Sequence, residues 1–480
     1  MLVIRKEESE RLGLHQVLDE CRCFSPQGRR LKRKRRYFTP GEQEDLNREF
    51  DAIDRLMPHV RQHKAEVLDV QSLLAHLRDL SGTISGLEKG RTLDLTEFYE
   101  IKEAARLIRA LSQYTSLLTR AGISLNPLPD LETLLDPAGQ GTSGFYLYDE
   151  YSEHLARLRK DRAALERLAE EGTAGKRAQL LARRAQLVAE EEDEETVVRT
   201  SLTLKLRPFA GVLQESLDGA GLLDFRLAKA ELAIQWGASR PDLQEEGQAL
   251  ILEAFYHPLI EAHLLSRGAS YERQTLTLHS GAAVLTGPNM GGKSVGLKAV
   301  TLSAVLIHLG YFPPAAYAAS PLFDFISYHS DHFDTTKKGL SSFAAEMVSL
   351  RDDVERSKDS RGLIVTDEPC RGTNPQEASA LIGALIRYYA GKAGIFLVAT
   401  HYPVPEGQGI SHWRIRGIME EALADIMENG AGQLSDQETI RRIESLMDYT
   451  IESADRPEPG EGAVRIARWL GLGEEVLELL

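Results

Sequence analysis

With 480 residues, 42% hydrophobic and 27% charged, the chain is long enough for about two to four domains with cores of their own. A formal charge of −15 disfavours a general nucleic-acid binder and leaves room only for a local basic face. Three cysteines, Cys21, Cys23 and Cys370, cannot build a disulfide framework; with a charged start and no long apolar run, this predicts a cytoplasmic protein without a membrane span.

Residues 1–40 read as an irregular segment ending in the basic run Arg29–Arg36. Such a run suits a solvated loop, a partner for acidic residues elsewhere, or a polyanion contact. From Gly41 the apolar spacing turns helical: Phe50, Ile53, Leu56, Met57 and Val60 predict one helix, and Val67, Val70, Leu73, Leu74 and Leu77 a second. Ser81–Thr83 and Lys89–Gly90 are expected to break the chain before a third helix over Leu95–Leu118. Phe98 opens a Phe-x-Glu pattern. It shares a helical face with Leu95, Ala105, Ile108 and Leu111, however, and is read as core.

Asn126–Gly144, rich in Pro and Gly, marks a connection. Tyr151, Leu155, Leu158, Arg162, Leu165 and Ala169 then form a heptad seam, Gly172–Gly175 turns the chain, and Leu181, Ala185 and Val188 carry the seam back. The expectation is a short coiled-coil hairpin over residues 149–199, with arms of roughly 30 Å. Its acidic run, Glu190–Glu195, reads as a solvated face, and its arginines leave a nucleic-acid contact open. An amphipathic helix from Gly221 stops near Trp236–Gly237 and closes a helical domain over 41–245.

The second half is organised around a loop. Gly287, Pro288, Asn289, Met290, Gly291, Gly292, Lys293 and Ser294 fit the pattern G-x-x-x-x-G-K-[S/T], between an apolar strand and a helical pattern. Glycines let backbone N–H groups face phosphates, and the helix N-terminus adds partial positive charge. Lys293 is expected on the β/γ-phosphates and the Ser294 hydroxyl on Mg²⁺. Four elements follow: the Ser-rich helix start Leu340–Met347, the apolar strand Gly362–Glu368, the polar turn Arg371–Asn374, and a second strand ending at His401. Asp367 suits Mg²⁺, Glu368 suits the base that polarises a water, and His401 suits a hydrogen bond to the γ-phosphate or that water.

Several of these stretches are similar to one family. Thr286–Ser294 resembles the phosphate loop of the MutS family, Ser341–Met347 its Ser-Thr-Phe-x-x-Glu-Met helix, Asp367–Thr373 its Asp-Glu-x-x-Arg-Gly-Thr, and Ala399–Tyr402 its Ala-Thr-His. Tyr256–Leu259 looks like the entry to that family's ATPase, Leu223–Ala230 like the end of its lever, and Pro459–Leu480 like its closing helices. The resemblance implies an α/β plus all-α protein. A MutS-type core/lever domain (41–245) would precede an ABC-type P-loop ATPase (250–410), with a C-terminal helical segment (411–480) for dimerisation. It implies ATP and Mg²⁺, Asn289 and Tyr271 against the nucleotide, and Ser341 reaching the phosphate bound by a partner subunit. A site completed by two chains implies a homodimer, or a heterodimer with a related subunit.

The sequence departs from the family pattern in lacking counterparts of the mismatch-recognition, connector and clamp domains, and of the second branch's nuclease-like domain. Asn374–Glu377 also replaces the usual Ser-Thr-x-Asp. Two outputs stay open. One is a DNA-transacting ATPase acting on mismatched, branched or damaged DNA. The other acts on a protein client, because the stretch Asp367–Pro375 also resembles MutS-related ATPases associated with reactivating cobalamin-dependent aminomutases.

Overall fold

A computed structural model describes residues 3–142, 144–171, 174–245, 248–288, 291–330, 342–418, 446–455 and 474–477. The chain divides into two compact units. Unit 1 comprises Met1–Cys21, Arg36–Asp54 and Lys229–Leu480; unit 2 comprises Arg22–Arg35 and Arg55–Ala228. Among the described residues no helix is long and apolar enough to cross a membrane.

Unit 2 is helical. Its helices include Pro26–Lys34, Lys64–His76, Ser81–Glu88, Leu95–Ser112 and the pair Glu153–Glu171 and Ala174–Leu206. Ser81–Glu88 is helical where a break was expected, because it buries Thr83, Ile84 and Leu87 while Asp79 accepts from the Ser81 N–H at 3.1 Å. Phe98 is fully buried, as its helical face predicts. In the helix pair Leu155, Leu158 and Ala169 are buried as the seam expects, but on the returning arm Leu181 and Ala185 are exposed and Leu187 is the buried residue instead. The acidic run is not merely solvated: Arg159 reaches Glu191 (3.1 Å) and Glu195 (2.9 Å), and Arg162, the polar seam position, reaches Glu191 at 2.9 Å.

Residues 1–40 are not irregular. They hold the helices Lys6–Arg11, Leu14–Asp19 and Pro26–Lys34. The first two are too short for a period to show, yet Val3, Ile4, Leu12, Leu14, Val17 and Leu18 are buried. The third starts on the Ser25 hydroxyl, which accepts from the Gly28 N–H at 2.9 Å, with Pro26 in the first turn. Of its basic residues Arg30 pairs with Asp218 at 2.7 Å, and beyond the helix Arg36 meets Glu42 at 2.9 Å. Asp224, buried, accepts from the Ser25 N–H (2.7 Å), the Ser25 hydroxyl (2.6 Å) and the Phe24 N–H (3.0 Å).

Unit 1 carries two sheets. Strands β1 (Asp242–Leu243), β2 (Leu250–Phe255), β3 (Gln274–Leu278) and β5 (Tyr317–Ser320) form one, in the order β1-β5-β2-β3. The other has the order β10-β9-β4-β8-β7-β6, with β4 Gly281–Thr286, β6 Phe325–His329, β7 Gly362–Asp367, β8 Ile395–Ala399, β9 Ile410–Ile418 and β10 Met447–Ala454. β6, β7, β8, β4 and β9 run parallel, and their central members are buried throughout, as continuous apolar runs require. β9 and β10 correct the expectation of a helical segment beginning at 411. His412, Arg414 and Arg416 alternate with Trp413 and Ile415, a period of two. Arg414 and Arg416 are held by Glu452 of the antiparallel β10 at 2.8 and 2.7 Å. Of the closing helices expected over Pro459–Leu480, only Glu474–Leu477 lies within the described residues, and it is helical.

One buried histidine gives unit 1 an acid limit. His308 Nδ1 donates to the Phe38 carbonyl at 2.8 Å, and its Nε2 accepts from the Phe323 N–H at 3.1 Å. Burial pulls its pKa down to about 4. The unfolded chain therefore takes up a proton that the folded one refuses, so stability is full above pH 6.5 and falls as pH drops toward 4. The expected loss is about 3 kcal/mol over that window. Urea unfolding of parent and His308→Gln at pH 7 and pH 5 checks it, since the difference removes other groups such as Glu8, which burial pushes up to about 7. Equal acid slopes in the two proteins would refute it.

Candidate functional site: a phosphate loop facing a carboxylate turn

Parallel register brings the functional residues to one sheet edge. Leu285 of β4 and Asp367 of β7 both align with Ala399 of β8, so the loop after β4, the turn after β7 and His401 beyond β8 leave the sheet side by side. Gly287 has φ +146°, and a Cβ there would lie 3.0 Å from Ile415, so only glycine serves. Gly292, at φ +79°, caps the helix Lys293–His308, and the Gly291 N–H closes the loop on the Pro288 carbonyl at 2.9 Å. Asn289, Met290 and Ser341 lie outside the described residues.

Lys293 is almost wholly buried, and its Nζ donates to the carbonyls of Gly287 (2.8 Å) and Pro288 (3.1 Å). Its ammonium stands 3.3 Å from Glu368. Burial draws the Lys293 pKa down to about 8, against the pull of Asp367, which raises it. Glu368 is buried too, contacts the Arg371 guanidinium and has its Oε2 3.8 Å from His401 Nδ1. Burial, then Lys293 and Arg371, hold the His401 pKa below its ordinary value, which favours neutral imidazole. The His401 ring is half exposed and lies 4.2 Å from the Tyr402 ring.

The donor set fits a hard cation. Asp367 Oδ1 is buried without a hydrogen-bond partner, and the Ser294 side chain is exposed on the first turn of the loop helix. An unpaired buried carboxylate oxygen is costly unless something positive meets it. No group of three or more His, Cys, Asp and Glu side chains forms a metal cage among the described residues. Magnesium is typically held by one or two protein oxygens and the phosphates of a nucleotide, and Asp367 and Ser294 are oxygen donors of that kind.

Tyr271 lies just before β3. Its ring packs edge-on to Tyr256 at 6.3 Å, its hydroxyl bonds the His257 backbone, and burial pushes its pKa up to about 12. The ring set against the loop is that of Tyr449, since a Cβ on Gly292 would meet it at 3.2 Å. The neighbouring Glu272 accepts the Tyr449 N–H at 3.1 Å. Glu346 was also missed as an individual residue: its carboxylate accepts the Cys370 N–H at 3.1 and 3.2 Å. Glu346 falls in the Ser-Thr-Phe-x-x-Glu-Met stretch, but nothing in that pattern points to Cys370, and no local pattern marks Tyr449.

A glycine loop between a buried strand and a helix, with an acidic pair ending a nearby parallel strand, defines the P-loop class of nucleotide-binding domains. Residues 283–406 match the family model of MutS domain V. The chain is 31% identical over 294 residues to the endonuclease MutS2 of Geobacillus sp. (strain WCH70), covering 61% of this chain and 34% of that protein. It is 35% identical over 192 residues to the DNA mismatch repair protein MutS of Natronomonas pharaonis, covering 40% and 22%. These similarities identify residues 283–406 as a MutS domain V. The chain's matched stretches span about a third or less of these relatives' lengths.

Proposed function

We propose that this chain binds and hydrolyses ATP with Mg²⁺, at a site shared between two copies, and couples the cycle to holding or remodelling DNA. The observation that carries the ATPase reading is the buried Lys293–Glu368 pair beside the unpartnered oxygen of Asp367. Lys293, at present bonded to its own loop's carbonyls, can transfer those hydrogen bonds to phosphate oxygens. Asp367 and Ser294 would hold the magnesium, which when bound neutralises phosphate charge. Glu368, freed of Lys293, accepts a proton from a water it orients, and neutral His401 beside it can donate to phosphate or hold that water. Ser341 would complete the site from the partner copy.

The proposed layout has an ABC-type ATPase domain over 250–410, a core/lever domain over 41–245 and the helix pair as a coiled-coil arm. The DNA reading draws on the relatives' names, which are of a DNA mismatch repair protein and an endonuclease. It also draws on the basic helix Pro26–Lys34. The −15 charge and the Asp367–Pro375 stretch favour a protein client instead, such as a cobalamin-dependent aminomutase. DNA binding against salt, with and without ATP, separates the two. The DNA reading expects affinity falling by about three decades or more between 50 and 200 mM salt if six or more phosphates are contacted, and shifting with ATP. Weak, salt-independent binding by a chain that still turns over ATP would move the reading to the protein client.

A further inference from the structure

We infer that Glu346 is a positioning residue that holds the turn carrying Glu368, an inference that rests on the ATPase reading of this site. Within three positions the chain places two non-glycine residues in the left-handed region, Glu368 at φ +47° and Cys370 at φ +67°. Such backbone persists only where the surroundings over-determine it. At Glu368 the restraint is its own N–H, which donates to the Ala399 carbonyl of β8 at 2.9 Å. At Cys370 it is Glu346, whose two carboxylate oxygens share the Cys370 N–H. A backbone amide bonded to an ionised carboxylate is a stronger tie than one bonded to a neutral acceptor. The Cys370 side chain is fully buried in the core with Ala378 and Ile382, so the turn is gripped from both sides.

Glu346 stands on the helix Ser342–Arg356, which begins beside Ser341. Phe343, Met347 and Val354 pack that helix on the same core. Asp353, fully buried, ties it to β6 through Ser327 (2.8 Å) and His329 (2.6 Å). The carboxylate therefore transmits the position of this helix to the turn, and through the turn to Glu368. Glu346 touches neither nucleotide nor water in this account; it acts through the backbone.

The test uses the full chain, with steady-state ATP turnover, a fluorescent ATP analogue for affinity, and thermal melting. Glu346→Ala is expected to lower kcat by at least about tenfold, because small misplacements of a reacting group are costly, while analogue affinity stays within about threefold. Glu346→Gln, which keeps an amide oxygen to accept the Cys370 N–H, should recover most of the rate. Adding Glu346→Ala to Glu368→Gln should leave the residual rate unchanged, since the residue acts through Glu368. Parent-like kcat in Glu346→Ala, equal impairment by Gln and Ala, or an additive loss on Glu368→Gln would overturn it. If the alanine variant does not fold, Glu346→Asp, whose shorter side chain falls short of Cys370, makes the same test: a parent-like kcat would overturn the inference. A parent chain that hydrolyses no ATP would instead refute the proposed function and this inference with it.

Discussion

Glu368→Gln is expected to bind ATP about as tightly as the parent and to turn it over at least about a hundredfold more slowly. The substitution is close to isosteric, and the amide oxygen can still receive Lys293, which stands 3.3 Å away. What disappears is the negative charge and the capacity to take a proton. Loss of a positioned general base typically removes two to four decades, about 3–5 kcal/mol of barrier at 1.36 kcal/mol per decade. Binding should survive because the loop, Lys293 and Asp367 are untouched. Phosphate release under saturating ATP, beside equilibrium binding of a fluorescent analogue, gives both numbers. Unchanged turnover would remove Glu368 from the role of base and leave His401 as the nearest substitute, its Nδ1 3.8 Å from the other carboxylate oxygen, Oε2.

Lys293→Met should lose nucleotide affinity by about two decades or more while the protein still folds. Methionine keeps the buried stem and its packing, so the comparison isolates the ammonium. That ammonium now serves the Gly287 and Pro288 carbonyls and Glu368, and its burial already draws its pKa down to about 8. Arriving phosphates would offer a better-matched partner, which is why the lost charge should register in binding before it registers in stability. Arg371 continues to neutralise Glu368 in the variant, which limits the cost of a carboxylate left in the interior. Parent-like affinity measured by titration calorimetry would show that Lys293 is not the phosphate ligand.

The phosphate loop, the two buried strands and the acidic pair were legible because each rests on a short local pattern. A glycine spacing, an apolar run and a strand-end carboxylate need no knowledge of distant residues. The edge of the sheet was not legible. β9 shows a period of two only over the short stretch His412–Arg416, and its partner β10 lies more than twenty residues downstream, where Glu452 and Asp448 pair with its arginines. The helices Lys6–Arg11 and Leu14–Asp19 are too short to show a period, and the basic run of Pro26–Lys34 masks the Ser25–Pro26 start signal. Tyr271, placed by its position before the loop, packs its ring edge-on to Tyr256. Asn374, which departs from the family's usual turn, is here the cap of the helix Pro375–Ala390: its side chain accepts the Gln376 N–H at 2.9 Å. That gives the departure a structural role.

The central claim is an ATP site built by two copies of the chain, and complementation tests it most directly. Lys293→Met disables the phosphate loop of one copy, and Ser341→Ala disables what the other copy would contribute. Each variant alone should be nearly inactive. An equimolar mixture that exchanges subunits should recover roughly a quarter of the parent's ATP turnover, because half the dimers would carry one intact composite site of two. A mixture as inactive as its parts, or Ser341→Ala alone as active as the parent, would contradict the shared site.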